Sequence, residues 1–429
     1  MSVRHKGLIM VLDGLGDRPS AQLDGKTPLE AAHTPHMNAL AAAGMCGMVD
    51  PLSPGIPVAT HTGTGLMLGL APRDAITLPR GPVEAAGIGL AIKPGDLAIR
   101  CNFATLEAAA DGGLKVIDRR AGRISEGTAE LATVLQDIPL GDGISASIRP
   151  STQHRAVLHL SGPGLSESIT DTDPGDDQLP GDVPLSRPLI PEDSAAVRTA
   201  AALNRFIEEA HARLQEHPVN RKRLEQGLTL ANGILTRGAG MLQDVCNLIN
   251  RLELKAALIA GEGSVIGLGR LFDFTVIEDP RFTALPDTDL QAKINATREA
   301  LEDHDIVFLH IKAPDICAHD FDPQCKKELL ERLDQLLPTL TQDGVVIGIS
   351  GDHSTDSTTG HHCGDPVPSI IHNPLGRRDG CTEYGETQCM HGGLGRISAT
   401  GFLLSLLDNM GAMHSFKPGD DIFFSTSPN

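Results

Sequence analysis

The stretch Gly7-Leu8-Ile9-Met10-Val11-Leu12-Asp13-Gly14-Leu15-Gly16-Asp17 decides the fold. An apolar run without alternation reads as a strand covered on both faces. It stops at an acid and two glycines, a turn signal. Downstream, Thr27-Pro28-Leu29-Glu30 opens a helix predicted over 28–43. Thr27 is the N-cap, Pro28 and Glu30 take the first and third helical positions, and Gly44 is the stop. The same grammar returns near the other end. Asp305-Ile306-Val307-Phe308-Leu309-His310-Ile311 reads as a buried strand and runs into Lys312-Ala313-Pro314-Asp315. Residues 324–337 have helical periodicity, and Gly344 to Ile349 is a third buried strand closed by Ser350-Gly351-Asp352-His353. A last helix is predicted over 398–409. Alternating buried strands and amphipathic helices predict an α/β fold with a mainly parallel sheet sandwiched by helices.

The middle of the chain reads differently. Residues 95–160 hold short alternating strands with turns such as Asp111-Gly112-Gly113 and Gly141-Asp142-Gly143, residues 171–191 read as a connector, and a helix is predicted over 195–216. At 429 residues the chain exceeds one typical domain. The expected organisation is one α/β domain made of residues 1–72 and 185–429, with a smaller α+β domain inserted over 73–184.

Composition narrows the function. With 36 Lys+Arg against 55 Asp+Glu, the net charge of −19 argues against nucleic acid or an anionic membrane surface as partner. Leu8 to Leu12 is too short for a signal-peptide core or a membrane span. The eight cysteines show no CxxC or metal-finger spacing, which predicts free thiols in a reducing cytoplasm. The deficit of positive charge is uneven. Residues 73–155 carry eight Arg and two Lys against ten acids, so they are neutral and the negative charge lies elsewhere.

Three predicted strands lead into Asp13, Asp315 and Asp352, and ligands bind beyond the carboxyl ends of parallel strands. Carboxylates converging there repel one another unless cations lie between them. His319 sits one helical turn after Asp315, His353 adjoins Asp352, and His361 and His362 follow. Asp and His without Cys spacing suit two Zn²⁺ or Mn²⁺ ions, which can clamp a phosphoryl displacement. The loop Pro57-Val58-Ala59-Thr60-His61-Thr62-Gly63-Thr64 precedes an apolar helix and offers three hydroxyls as nucleophile: Thr60, Thr62 or Thr64. Arg80, Arg100, Arg119, Arg120, Arg123 and Arg155 supply guanidinium groups suited to phosphate or carboxylate, and Lys312 directly follows a buried strand.

Ten short pieces in order carry a family resemblance. They are Val11-Leu12-Asp13-Gly14, Thr27-Pro28-Leu29-Glu30-Ala31-Ala32, Arg80-Gly81-Pro82-Val83-Glu84-Ala85, Arg100-Cys101-Asn102-Phe103-Ala104-Thr105 and His154-Arg155-Ala156-Val157. Asp171-Thr172-Asp173-Pro174, Arg237-Gly238-Ala239-Gly240, Lys312-Ala313-Pro314-Asp315, Gly351-Asp352-His353-Ser354 and Gly364-Asp365-Pro366-Val367-Pro368 complete the set. Nearly end to end, the chain resembles the archaeal-type cofactor-independent (2,3-bisphosphoglycerate-independent) phosphoglycerate mutases of the alkaline phosphatase superfamily.

The resemblance implies an alkaline-phosphatase-like domain, an inserted substrate domain and two divalent metal ions, with no 2,3-bisphosphoglycerate. It implies Asp13, Thr60, Asp352 and His353 around one ion and Asp315, His319 and His362 around the other. Thr60 falls on the family's nucleophilic Ser, with Lys312 and Arg155 as further catalytic groups. Arg80, Asn102, Arg119, Arg123, His154 and Arg237 are the implied substrate-binding residues. Where the family reads Arg-Pro-Gly-Ser-Asp-Thr-Ala-His, this chain reads Pro57-Val58-Ala59-Thr60-His61-Thr62-Gly63-Thr64. The expected activity is interconversion of 3- and 2-phosphoglycerate through a phosphothreonine, on a small anionic phosphorylated substrate. The alternative is a related phosphotransferase or hydrolase acting on another small phosphate or phosphonate ester. A non-catalytic binding protein on the same fold fits less well, because all seven implied ligand positions carry competent side chains.

Overall fold

In the computed structural model, which describes residues 5–109, 112–175, 180–243, 245–341 and 344–413, the strand Lys6–Leu12 lies inside an eight-stranded sheet. Across that sheet the strands run Thr275–Ile277, Ala256–Ile259, Ile306–Ile311, Lys6–Leu12, Val345–Ser350, Val367–His372, Met45–Asp50 and Gly395–Ser398. Only the pairings made by Val367–His372 are antiparallel. Both neighbours of Lys6–Leu12 are parallel to it, and all three of these strands are apolar and almost wholly buried. That two-sided burial is why their sequences do not alternate. Among the described residues no helix is long and apolar enough to cross a membrane.

The helix predicted over 28–43 is two helices, Pro28–Ala31 and Pro35–Ala43. Thr27 and Glu30 form the expected reciprocal cap, but Pro35 has no N–H to give and disfavours the helical conformation at Thr34, so the chain breaks there and restarts. The later helices are Pro323–Asp334 and Ala399–Asn409, close to expectation. The cysteine reading needs one correction. Cys317 and Cys325 are joined as a disulfide, their Cα atoms brought to 5.7 Å by successive helices, Ala313–His319 and Pro323–Asp334. The other six cysteines are free.

The chain divides into two compact units, Met1–Leu78 with Val245–Asn429, and Pro79–Asp244. The expected return to the first domain at residue 185 therefore falls inside the second unit. The reason is packing. The strand Gly233–Met241 pairs antiparallel with Leu97–Ala108, and the helix Ser194–Gln215 buries Leu203, Phe206, Ala210 and Leu214 in the same core as Phe103, Leu158 and Ile234. All strand pairings of this unit are antiparallel.

One buried ion pair fixes the turn after Lys6–Leu12. Lys326, fully buried on the helix Pro323–Asp334, donates to Asp17 Oδ2 at 2.7 Å and to the carbonyls of Gly14 at 2.7 Å and Gly16 at 3.3 Å. Removing one member of such a pair leaves a buried charge without compensation. Lys326→Met is therefore expected to cost the first unit about 3–5 kcal/mol, read as an earlier transition in urea; an unchanged midpoint would contradict this account.

Candidate active site

Parallel register sets the site. Leu12 lies opposite Ile311, and Val11 opposite Ser350, so three strands end level with one another. Asp13, Asp315, Asp352 and His353 follow those ends and are all fully buried. Between them sits one ammonium. Lys312 Nζ donates to Asp13 Oδ1 at 3.0 Å, to Asp315 Oδ2 at 2.5 Å and to Thr60 Oγ1 at 2.8 Å. Burial alone would push the Asp13 and Asp315 carboxyls up, but Lys312 overrides it and holds both below the usual carboxylate range. Burial opposes the Lys312 charge in turn, and Asp13, Asp315, Asp352 and Glu262 raise its pKa regardless. Asp352 is pushed up by burial and by Asp13.

Thr60 opens the helix Thr60–Met67. Its hydroxyl lies 3.3 Å from His353 Nε2 as well as 2.8 Å from Lys312. One turn on, Thr64 donates to Asp352 Oδ2 at 2.8 Å. Of the three hydroxyls left open by the sequence, Thr60 is the one beside the ammonium, and Thr64 braces a carboxylate. Gly63 makes this docking possible, since a Cβ there would stand 2.0 Å from the Asp352 carbonyl oxygen.

The imidazoles complete the cluster. Asp315 lies 3.2 Å from His319 Nε2 and 3.6 Å from His362 Nε2, and those two nitrogens are 3.3 Å apart. Their other ring nitrogens are anchored on backbone oxygens, His319 on Gly360 and His362 on Val58, each at 2.7 Å. That anchoring aims each Nε2 into the site, as ligating histidines require. Burial and the neighbouring His353 push His362 down to about 4, so it is neutral at pH 7. The sequence reading missed His310, whose Nε2 lies 3.0 Å from Asp13 Oδ2. Its signal was a lone polar side chain in the otherwise apolar Ile306–Ile311.

Ligand atoms converge within 4.8 Å in three sets here: Asp315/His319/His362, Asp13/His310/Asp352 and Asp13/Asp315/His353. Three fully buried carboxylates face one ammonium, and the remaining donors are imidazoles and a hydroxyl. That excess of buried negative charge and its donor chemistry fit divalent cations.

In the second unit, the sheet assembles the cationic residues. Asn102 lies opposite Arg155, and Arg100 opposite Arg237. Arg80 Nε is 3.3 Å from Glu84 Oε1, and Arg100 Nε is 3.4 Å from the same atom. Arg100, absent from the implied substrate-binding set, is only 4% exposed and leaves Nη1 without a partner. Burial and the charges of Arg80, Arg237 and Arg155 pull it down to about 9, with Glu84 opposing. Arg119 is already engaged, its fork gripping Asp173 at 2.5 and 2.7 Å. Arg123 is exposed in a left-handed conformation. Crowded guanidinium groups around few carboxylates suit an anion.

A carboxylate–imidazole cluster at the carboxyl ends of parallel strands, on a chain whose antiparallel unit also gathers several arginines, marks an α/β enzyme handling anions. Comparison with known proteins narrows that class. A family profile described as 2,3-bisphosphoglycerate-independent phosphoglycerate mutase matches residues 41–220. The chain is 40% identical to 2,3-bisphosphoglycerate-independent phosphoglycerate mutase 1 of Methanothermobacter thermautotrophicus, covering 96% of this chain and 99% of that protein. It is 41% identical to the enzyme of the same name from Methanopyrus kandleri, over 95% of this chain and 96% of the relative. Among solved structures, the cofactor-independent phosphoglycerate mutase of Thermoplasma acidophilum superposes with a TM-score of 0.68 at 32% identity, over 95% of this chain and all of that one. A Pyrococcus horikoshii protein gives 0.81 at 32% identity, over 97% and 100%. The chain belongs to the 2,3-bisphosphoglycerate-independent phosphoglycerate mutase family.

His154 yields a pH test. Burial, then Arg155, Arg120, Arg100 and Arg123, pull it from 6.5 down to about 4. As pH falls, the unfolded chain takes the proton near 6.5 while the folded one resists until about 4. The contribution is complete above 6.5 and is lost through that window. Between pH 7 and pH 4.5, His154→Asn should remove up to about 2 kcal/mol of the acid-side loss of stability in urea. Identical slopes in both proteins would refute the assignment.

Proposed function

We propose that the protein interconverts 3-phosphoglycerate and 2-phosphoglycerate in the cytoplasm, by metal-dependent phosphoryl transfer through a phosphothreonine at Thr60. The observation that carries this reading is the Thr60 hydroxyl held 2.8 Å from Lys312 Nζ amid the buried carboxylates, in a chain with full-length kinship to named mutases. Asp13, Thr60, Asp352 and His353 would hold one divalent ion, with His310 supporting Asp13, and Asp315, His319 and His362 would hold the other. Bound there, Mn²⁺ or Zn²⁺ would lower the pKa of a hydroxyl and neutralise phosphoryl oxygens.

The residues divide the remaining work. Thr60 Oγ1 attacks phosphorus in line and forms the new P–O bond, and the bond to the substrate oxygen breaks. The departing hydroxyl takes up a proton as Thr60 gives one up, so the step balances. Lys312 donates to Thr60 Oγ1 and steadies the charge developing there. Arg155, Arg80, Asn102, Arg237 and Arg123, with His154, would retain the anionic glycerate. Arg100 joins this set on account of its unpartnered nitrogen. Arg119 would contribute through its grip on Asp173. Attack of the other glycerate hydroxyl on the phosphothreonine then returns the phosphoryl group and frees Thr60. Water must be kept out during this interval, because hydrolysis of the phosphothreonine is the competing outcome. One observation favours that competing reading. Thr64, where the family pattern carries His, is committed to Asp352, and a hydrolase or phosphotransferase acting on another small phosphate or phosphonate ester would share every other feature.

An enolase-coupled assay with 3-phosphoglycerate and Mn²⁺, without added 2,3-bisphosphoglycerate, tests the proposal. Wild-type protein and Thr60→Ser should form 2-phosphoglycerate. Thr60→Ala should lose about 10⁴-fold or more. Wild-type turnover in Thr60→Ala would overturn the nucleophile. Release of free phosphate from other monoesters without 2-phosphoglycerate would favour the hydrolase.

A further inference from the structure

A second cluster of ligand atoms lies in the first unit, apart from the strand ends that carry Asp13 and Asp352. We propose that Cys46, Cys381 and Cys389, with Asp379, form a thiolate-rich site for a thiophilic divalent cation of the Zn²⁺ class. Three segments bring these residues together. Cys46 is the second residue of Met45–Asp50, Asp379 and Cys381 follow the strand Val367–His372, and Cys389 ends the short helix Glu386–Cys389. The ligand atoms of Cys46, Asp379 and Cys381 all lie within 4.8 Å of one another. Cys389 is a near neighbour of Cys46, its thiol turned toward the Ser369 carbonyl at 4.0 Å. A tetrahedral Zn²⁺ with Zn–S bonds of about 2.3 Å sets its sulfurs about 3.8 Å apart, so Cys46, Cys381 and Asp379 need only small movements, and Cys389 completes the set by turning from the Ser369 carbonyl.

The carboxylate is what distinguishes this cluster from cysteines used as apolar filler. Cys46 and Cys389 are wholly buried and Cys381 is 4% exposed, yet a carboxylate stands among them. It is held in place by backbone N–H groups: Cys46 and Gly393 donate to Oδ2, each at 2.7 Å, and Cys381 donates to Oδ1 at 2.9 Å. Such outer bonds are what orient a ligating carboxylate. Burial and Asp379 push the Cys381 thiol up to about 11. Binding one divalent ion would release to solvent the protons its thiols carry as the metal–sulfur bonds form.

Topology separates this site from the other. Met45–Asp50 pairs antiparallel with Val367–His372, which pairs antiparallel with Val345–Ser350, so Met45–Asp50 runs the same way as Val345–Ser350. Cys46 lies near the amino end of its strand, whereas Asp352 lies beyond the carboxyl end of its own. The two sites thus occupy opposite edges of the sheet. Spacing rules could not find the site, because Cys46 and Asp379 are 333 residues apart.

The test uses the full-length protein, reduced, stripped with a chelator and loaded with Co²⁺. Thiolate-to-cobalt charge transfer gives a near-ultraviolet band that Asp and His ligands do not produce, so this readout is independent of the mutase reading. The expected result is that band in wild-type protein and in Asp315→Asn, its loss in Cys381→Ser and Cys46→Ser, and one fewer retained equivalent of Zn²⁺ in Cys381→Ser. Cys381→Ser is the primary variant, since Cys381 is the most accessible of the three thiols, and an unchanged far-ultraviolet circular dichroism spectrum shows that it folds. No band in wild-type protein overturns the proposal, and so does a band that survives Cys381→Ser or disappears only in Asp315→Asn.

Discussion

Three carboxylates share the carboxyl edge of one sheet because a single ammonium stands among them. Lys312 bridges Asp13 and Asp315 and reaches the Thr60 hydroxyl, so it joins two strand ends and the start of a helix through one atom. Much of the surrounding architecture serves to make that arrangement tolerable. The buried strands exclude water and strengthen the attraction, and the parallel register brings the acids to a common level. Lys326 performs a parallel task one layer away, tying down the turn that follows Asp13. Neither lysine is at the surface where lysines usually lie, and both are explained by the negative charge around them.

How far the sequence could be read depended on whether a feature was local. The buried strands were legible because two-sided burial leaves an unbroken apolar run, and the Thr27–Glu30 cap because its bonds close within four residues. The break at Pro35 was also local, and the longer helical pattern concealed it. Asp13, Asp315, Asp352 and their histidines could be proposed because each follows a recognisable strand. His310 was overlooked because it lies within a strand, where a polar residue reads as an interruption and not as a ligand. The end of the second unit was misplaced for a related reason. Pairing of Gly233–Met241 with Leu97–Ala108 is a long-range fact, and the Asp/Pro/Gly-rich segment before it resembles a boundary whether or not it is one.

The net charge of −19 takes on a different meaning once the structure is in view. Part of it is concentrated in the buried acids Asp13, Asp315 and Asp352, with the Lys312 ammonium among them, so the formal count overstates what a ligand would meet there. The antiparallel unit, meanwhile, sets arginines opposite one another and leaves Arg100 short of partners. A globally acidic protein can in this way present locally anion-seeking chemistry.

The close approach at Gly63 sets how this site can diversify. The helix Thr60–Met67 rests against the Asp352 backbone with no room for a side chain at position 63, and the buried hydroxyl of Thr64 is committed to the same residue. Its inner face is therefore set, in this chain, by contact with Asp352. Its opening turn is not. Thr60, His61 and Thr62 are half-buried, and the hydroxyl at position 60 is held by Lys312 and lies beside His353. Serine would present the same oxygen at that position. The departures from the family's usual wording fall on both parts of this helix: Thr60 and His61 in its opening turn, and Gly63 and Thr64 on the face that rests against Asp352.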